Sequence, residues 1–511
     1  MRNIYKQFQL LSLFLFFLGT FLICCQGISS AKTSDDEFVV RKLGSIEKLV
    51  PLKDPLSEYY ADHYQRNLDL IKEHLAPELY VLLQKYNDPE GDKEWSLLAE
   101  KLQELNDASW SKEEKTARAG LLCTVLLGSN RPKETFQFCD LAAELAPSDS
   151  INLVKDMQAA FAVGKYEKVS ELVQTAGIVV ETTLNNNLLA RLDYYATAGS
   201  FIKTGLVSIE GNFNVRALSY FQRALDFADA ITDLDPGTKS MLLAQIADCY
   251  GRLGQMQKAR SYYSRAAVLL NSMPYTYFAT RVEEIYPMIA SFLAMQGEVS
   301  KSKAFLDEAL YMNSKRTRVD VVKNAHLYAM AASTYLGLGD YKEVITWSQK
   351  SLDISKQYMG EANRLTISNY LTIGDANMVH GDFSSAKKYY KKGYDLNLKY
   401  YGADDITTLL AAKNLAYTLL MTKEYEKAMA LYGENIPRSE RFWGAESPLI
   451  AEQYAGYSDC FYALNKFNEA CIYMEKAYLI YKKIEGENGA KTGLVRDLLV
   501  GCLKQREADA R

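Results

Sequence analysis

Glycine recurs along the second half of this chain on a fixed ruler. Gly254, Gly297, Gly339 and Gly381 stand 42 or 43 residues apart, and Gly360, Gly402, Gly444 and Gly486 form a second series at intervals of 42. Continuing the first series lands on Lys423 and Asn465, and stepping back from Gly254 lands on Asn212. Two ladders of one period describe one repeated unit, not a string of independent globular domains, even in a chain of 511 residues. Gly and Asn suit these sites because a tight turn after a helix holds one residue in the left-handed region.

Between the turns the apolar pattern is helical. Ala247 and Tyr250 precede Gly254, and Ala259, Tyr263 and Ala266 follow it. The same five places hold Ala332, Tyr335, Val344, Ser348 and Ser351 around Gly339, then Gly374, Asn377, Ala386, Tyr390 and Gly393 around Gly381. Around Asn465 they hold Ser458, Phe461, Ala470, Met474 and Ala477. Small residues let two antiparallel helices approach closely, and larger ones fill the gaps between them. The fold class that follows is all-α, a solenoid in which each hairpin touches only its neighbours.

The order small, aromatic, turn, small, aromatic, small resembles the tetratricopeptide repeat (TPR) family, whose usual period is about 34 residues. The longer period here adds about two helical turns per unit and is similar to the repeats of kinesin light chains. Tyr401-Gly402-Ala403-Asp404-Asp405 ahead of Asn414-Leu415-Ala416 is similar to that subfamily's inter-repeat signature. The resemblance implies a superhelix of TPR-like hairpins over residues 198–486. Residues 116–182 carry more divergent units, with turns at Asn130 and Gly164. Residues 55–110 read as a helical N-terminal cap, 32–54 as a loosely ordered leader and 487–511 as a capping helix that covers the last unit's exposed core.

The first 31 residues read as a targeting signal. Arg2 and Lys6 precede a charge-free apolar run from Leu10 to Ile23, too short to span a bilayer, and Ser29-Ser30-Ala31 offers a cleavage site. A lipid anchor on Cys25 and an uncleaved anchor are the rival readings. No Asn stands in an Asn-x-Ser/Thr acceptor, and the expectation is an exported protein with no membrane span after cleavage, periplasmic or outer-surface, with a bacterial envelope favoured. A net charge of −4 argues against nucleic-acid binding, which needs a concentrated positive field. The densest basic stretch, Lys387, Lys388, Lys391, Lys392 and Lys399, has helical spacing and reads as one solvated helix face.

Catalytic and cofactor motifs are missing from the sequence. There is no Gly-rich phosphate loop, nucleophile elbow or His-Glu-x-x-His. His63, His74, His326 and His380 are unpaired at ligand spacing and read as surface or turn residues, so the sequence points to no metal, no cofactor and no enzyme. Cys249, Cys460 and Cys502 fall where a small hydrophobe belongs. Cys123 with Cys139, and Cys460 with Cys471, face each other across one hairpin and are the candidate disulfides.

In TPR arrays the inner, concave face is lined by the first helix of each unit. The resemblance places Asp248, Arg252, Asp375, Met378, Lys413, Tyr417, Met421, Asp459 and Tyr462 there. The family's carboxylate clamp is not reproduced, since only Lys413 fits it. The remaining groove of Met, Leu and Tyr with scattered Asp suits a protein or peptide with apolar anchors and some basic character. The expected function is therefore a non-enzymatic protein-binding scaffold of the envelope. A sensor ectodomain and a glycan-binding surface lipoprotein are the alternatives.

Overall fold

In the computed structural model the described residues are 38–41, 55–84, 92–128, 132–163, 165–184, 186–203, 213–315 and 321–509. Every regular element among them is helical. The signal segment, Cys25, Asn130, Gly164 and Asn212 lie outside them.

Both ladders are written into the backbone. Gly254, Gly297, Gly339 and Gly381 have φ of 72°, 75°, 74° and 84°, and the two non-glycines on the same ruler, Lys423 and Asn465, have φ of 65° and 59°. At Gly254 an added Cβ would meet nothing within 4 Å. The requirement at that turn is conformational, not steric, and it costs Lys423 and Asn465 roughly 1 kcal/mol each. Gly360, Gly402, Gly444 and Gly486 have φ between 77° and 85°. Three residues beyond the first three of these stand Asn363, Asp405 and Ser447, whose side chains accept from backbone N–H groups of the following helix. The second ladder therefore ends one unit and starts the next: glycine breaks the helix and a polar cap satisfies the new N-terminus.

The chain divides into two compact units, one built from Thr33–Ala290 with Lys303–Arg318, the other containing Ser291–Ser302 with Val319–Arg511. In the second unit successive helices pair as hairpins, Val321–Gly337 with Tyr341–Tyr358, Arg364–His380 with Phe383–Tyr401, Ile406–Met421 with Tyr425–Trp443, and Pro448–Ala463 with Phe467–Glu485. The helix Ala490–Asp509 packs on the last of them. The five-place pattern fills the interior. Ala386, Tyr390, Ala470, Met474 and Ala477 are all buried, while Tyr335 and Phe461 are partly so. Gly374 is a glycine because the Tyr390 ring lies 2.8 Å from where its Cβ would stand. Each fully buried large side chain contributes about 1.5–3 kcal/mol.

In the first unit the helices Pro55–Leu70, Pro77–Gln84, Asp92–Gln103 and Lys112–Gly128 share one apolar cluster around Leu68, Ile71, Leu102 and Leu121. Two sequence expectations change here. His63 is not a surface residue: it is 4% exposed, and its Nε2 lies 2.9 Å from the Asp149 carboxylate that caps helix Ser150–Ala162. Within the leader, residues 38–41 are not loose but packed against helices of this unit.

The cysteines also need correction. Cys123 and Cys139 are joined across their hairpin. Cys471, however, bonds Cys502, and Cys460 remains a buried free thiol. Cys502 lies on the terminal helix that packs against Phe467–Glu485, so its sulfur reaches Cys471. Burial pushes the Cys460 thiol well above its ordinary value.

Candidate functional site

The expected inner strip falls partly inside the protein. Asp248 belongs to the first unit, where its carboxylate takes Lys203 at 2.8 Å and Arg252 at 3.1 Å. Burial raises its pKa, but these two cations outweigh that and hold it below the usual range. Arg252 is exposed and committed to this pair.

The other seven residues lie on three consecutive first helices of the second unit. Met378, Lys413 and Tyr417 are 0%, 4% and 5% exposed, so they are not open contact residues as the sequence reading placed them. Met378 and Tyr417 join the apolar cluster of Tyr390, Leu415 and Ala416, in the seam between repeats. Lys413 is taken up by Glu452 of the next unit, Nζ to Oε2 at 3.1 Å, with both side chains more than nine-tenths buried. Glu452 gives no signal in the sequence because its slot varies from unit to unit, with Met241, Glu284, His326, Ser368 and Leu410 at the equivalent positions.

Asp375, Met421, Asp459 and Tyr462 remain partly accessible. Tyr390 Oη donates to Asp375 Oδ1 at 2.5 Å, and Asn414 Nδ2 donates to the same oxygen at 3.4 Å. Burial pushes the Asp375 carboxyl up to about 6, against the opposing pull of Tyr390 and Lys413. Asp459 makes no hydrogen bond or ion pair among the described residues, and burial alone pushes its carboxyl up to about 7. Glu452 Oε1 is buried without a hydrogen-bond partner among the described residues. Met421 packs its stem on the core. Tyr462 stands beside Asp459 at the i, i+3 spacing of one helix face. The strip is therefore narrower than its sequence suggests, with Glu452 paired to Lys413, Asp375 within electrostatic reach of the same lysine, and Asp459 without an ion-pair partner among the described residues.

The basic stretch proves to be a partly paired rim. Lys387, Lys388, Lys391 and Lys427 surround a cavity of about 530 Å³ floored by Leu415 and Leu419. Glu424 takes both Lys387 and Lys427, and Asp395 takes Lys391. Hydrogen bonds from those two lysines hold Glu424 down at about 2. Among the described residues no group of three or more His, Cys, Asp or Glu could hold a metal ion, and no helix is long and apolar enough to cross a membrane.

The profile of the tetratricopeptide repeat family matches residues 242–267 and 325–358. Both segments are tetratricopeptide repeats. Among curated proteins, this chain is 27% identical over 217 residues to a clustered mitochondria protein homolog of Candida albicans, which covers 42% of this chain and 16% of that protein. The Homo sapiens protein of the same name is 24% identical over 212 residues, covering 41% and 16%. The chain thus matches about one sixth of the length of these relatives. Among solved structures, a STAND protein with a tetratricopeptide repeat sensor from Pyrococcus horikoshii aligns with a TM-score of 0.49 at 16% identity, covering 88% of this chain and 68% of that one. Kinesin light chain TPR-like repeats of Podosopora anserina align at 0.36 and 14% identity, covering 40% and 97%.

These matches overturn the expected location. The sequence relatives come from yeasts, human and zebrafish and are named for mitochondria, so a bacterial envelope or outer surface does not stand. A short apolar run read by itself could not distinguish the two cases.

Proposed function

We propose that this chain is a non-enzymatic protein-binding scaffold. Its second unit would take a partner segment with apolar anchors and a cationic group along Asp375, Met421, Asp459 and Tyr462. The observation that carries this reading is Asp459. Its carboxyl is partly accessible and has no ion-pair partner among the described residues. Partial burial makes the ionised form costly, and an arriving Lys or Arg offsets that cost while Met421 and Tyr462 offer adaptable apolar contact beside it. The tetratricopeptide repeats support the reading, because stacked hairpins present long surfaces suited to protein segments. In the relatives the matched region is a small part of a much larger chain, so what is carried over is a binding module, not the whole protein's activity.

The test uses two fluorescein-labelled peptides of one length, each with two Leu and one Phe, one carrying four Lys and the other four Glu. Fluorescence anisotropy should show the Lys peptide binding and the Glu peptide not binding. Met421→Ala with Tyr462→Ala should remove that binding; both side chains are partly accessible and also pack on the core, so helicity is checked by circular dichroism alongside. Binding of both peptides alike, or survival of binding in the double variant, would falsify the proposal.

A further inference from the structure

Residues 38–41 lie against helices some 230 residues further along the chain, all within the first unit. Phe38 is 4% exposed. Its ring stands edge-on to Phe305 with centroids 6.3 Å apart, and the Arg260 guanidinium lies 5.1 Å from its centroid. Asn271 grips the backbone beside it: Nδ2 donates to the Val39 carbonyl at 2.6 Å, and Oδ1 accepts from Tyr286 Oη at 2.6 Å. The same Tyr286 oxygen accepts from the Arg41 backbone N–H at 3.0 Å.

Arg41 completes the set. Its Nη1 donates to the carbonyls of Met273 at 2.5 Å and Asn271 at 3.3 Å, with the guanidinium 4.8 Å from the Phe278 ring centroid. Those carbonyls belong to the C-terminal end of helix Met256–Ser272. The last carbonyls of a helix have no partner within it, and the negative end of its dipole favours a cation. Val39, between the two anchors, is 57% exposed. The groove therefore reads a Phe and an Arg three positions apart and holds the backbone between them through groups indifferent to sequence.

We propose that this groove is a recognition site for a non-helical Phe-x-x-Arg segment of a partner protein, filled in the isolated chain by its own residues 38–41. The contacts described above all come from residues 260–305, so a segment arriving from another molecule makes the same set. The chain's own copy competes from a tethered position, at an effective concentration on the order of 1 mM. With an intrinsic dissociation constant of about 0.1 mM for the chain's own copy, any outside segment is then weakened roughly tenfold in the intact chain. The site is separate from the strip on the second unit and stands or falls without it.

The experiment uses the full chain, as wild type and as Phe38→Ala with Arg41→Ala, and a fluorescein-labelled peptide with the sequence of residues 35–44. The peptide should bind the double variant about tenfold more tightly than the wild type. Replacing its Phe or its Arg by Ala should abolish binding, and adding Tyr286→Phe to the variant, which removes one hydroxyl and keeps the ring, should weaken it. Should the double variant lose helicity, Arg41→Ala alone gives the same comparison with Phe38 still in place. Equal binding to wild type and variant, no binding to either, or indifference to the peptide's Phe and Arg overturns the proposal.

Discussion

The Lys413–Glu452 pair gives the sharpest energetic prediction. It joins two neighbouring repeats, 39 residues apart, with side chains 5% and 8% exposed and charged atoms 3.1 Å apart. At an effective dielectric of ~20 the gross attraction is about 5 kcal/mol, and the desolvation of both ions offsets much of it. Removing one partner is different, because it strands the other charge where water cannot reach it. Lys413→Met keeps the length of the stem and leaves Glu452 uncompensated, with Oε1 already lacking a partner. The expected loss is about 3–5 kcal/mol. Adding Glu452→Gln should restore most of it, to within about 1 kcal/mol of wild type. Urea unfolding followed by circular dichroism gives the totals. Hydrogen exchange should place the loss in helices Ile406–Met421 and Pro448–Ala463 before any others, because contacts in a repeat array are local. A single-variant loss below about 1 kcal/mol, or a double variant no better than the single one, would refute the claim that this pair is a buried, mutually dependent unit.

Three further outcomes are expected. Tyr263→Ala empties a place 3% exposed in the first unit and should cost about 3–5 kcal/mol, with hydrogen exchange rising first beside Gly254 and not uniformly. Reducing Cys123–Cys139, or replacing both by Ser, opens a link between positions 16 apart and should cost the first unit about 3 kcal/mol, read by urea midpoint with and without reductant. For pH, Asp375 and Asp459 have folded pKa values raised to about 6 and about 7, so between about pH 4 and 7 the folded state holds more protons than the unfolded one. Stability contributed by these groups is therefore full at the acid end and lost as pH rises, and Asp459→Asn should flatten that slope in hydrogen exchange of Pro448–Ala463. An unchanged slope would show that Asp459 ionises freely.

Most of the fold was legible because its determinants are local. A left-handed residue every 42 positions and a small residue wherever two helices cross are visible in one unit and multiplied by repetition, down to Lys423 and Asn465, which the ruler marks without a glycine. The candidate site was less legible. Spacing tells which helix face a residue occupies but not how closely the next repeat covers it, so Met378 and Tyr417 read as open when the seam between repeats buries them. Lys413 reads as a binding residue because its partner is 39 positions away, in a slot whose charge varies from unit to unit. The Cys471–Cys502 bond is illegible for a related reason: spacing marks the terminal helix as a cap, but its register on the preceding helix is a matter of packing. Residues 38–41 gave no signal at all, since a four-residue segment has no period and its partners lie more than 200 positions away.

The central claim is that partners meet this chain along the first helices of its second unit, beside Asp459. A benzoylphenylalanine photocrosslinker placed at Tyr462 tests it directly against one at Leu479, which is 54% exposed on the second helix of the same repeat. With the Lys-bearing peptide as probe, the Tyr462 position should crosslink strongly, the Leu479 position weakly, and Asp459→Asn should reduce the first without changing the second. Strong crosslinking at Leu479 with none at Tyr462 would contradict the account and place the binding surface on the second helices instead.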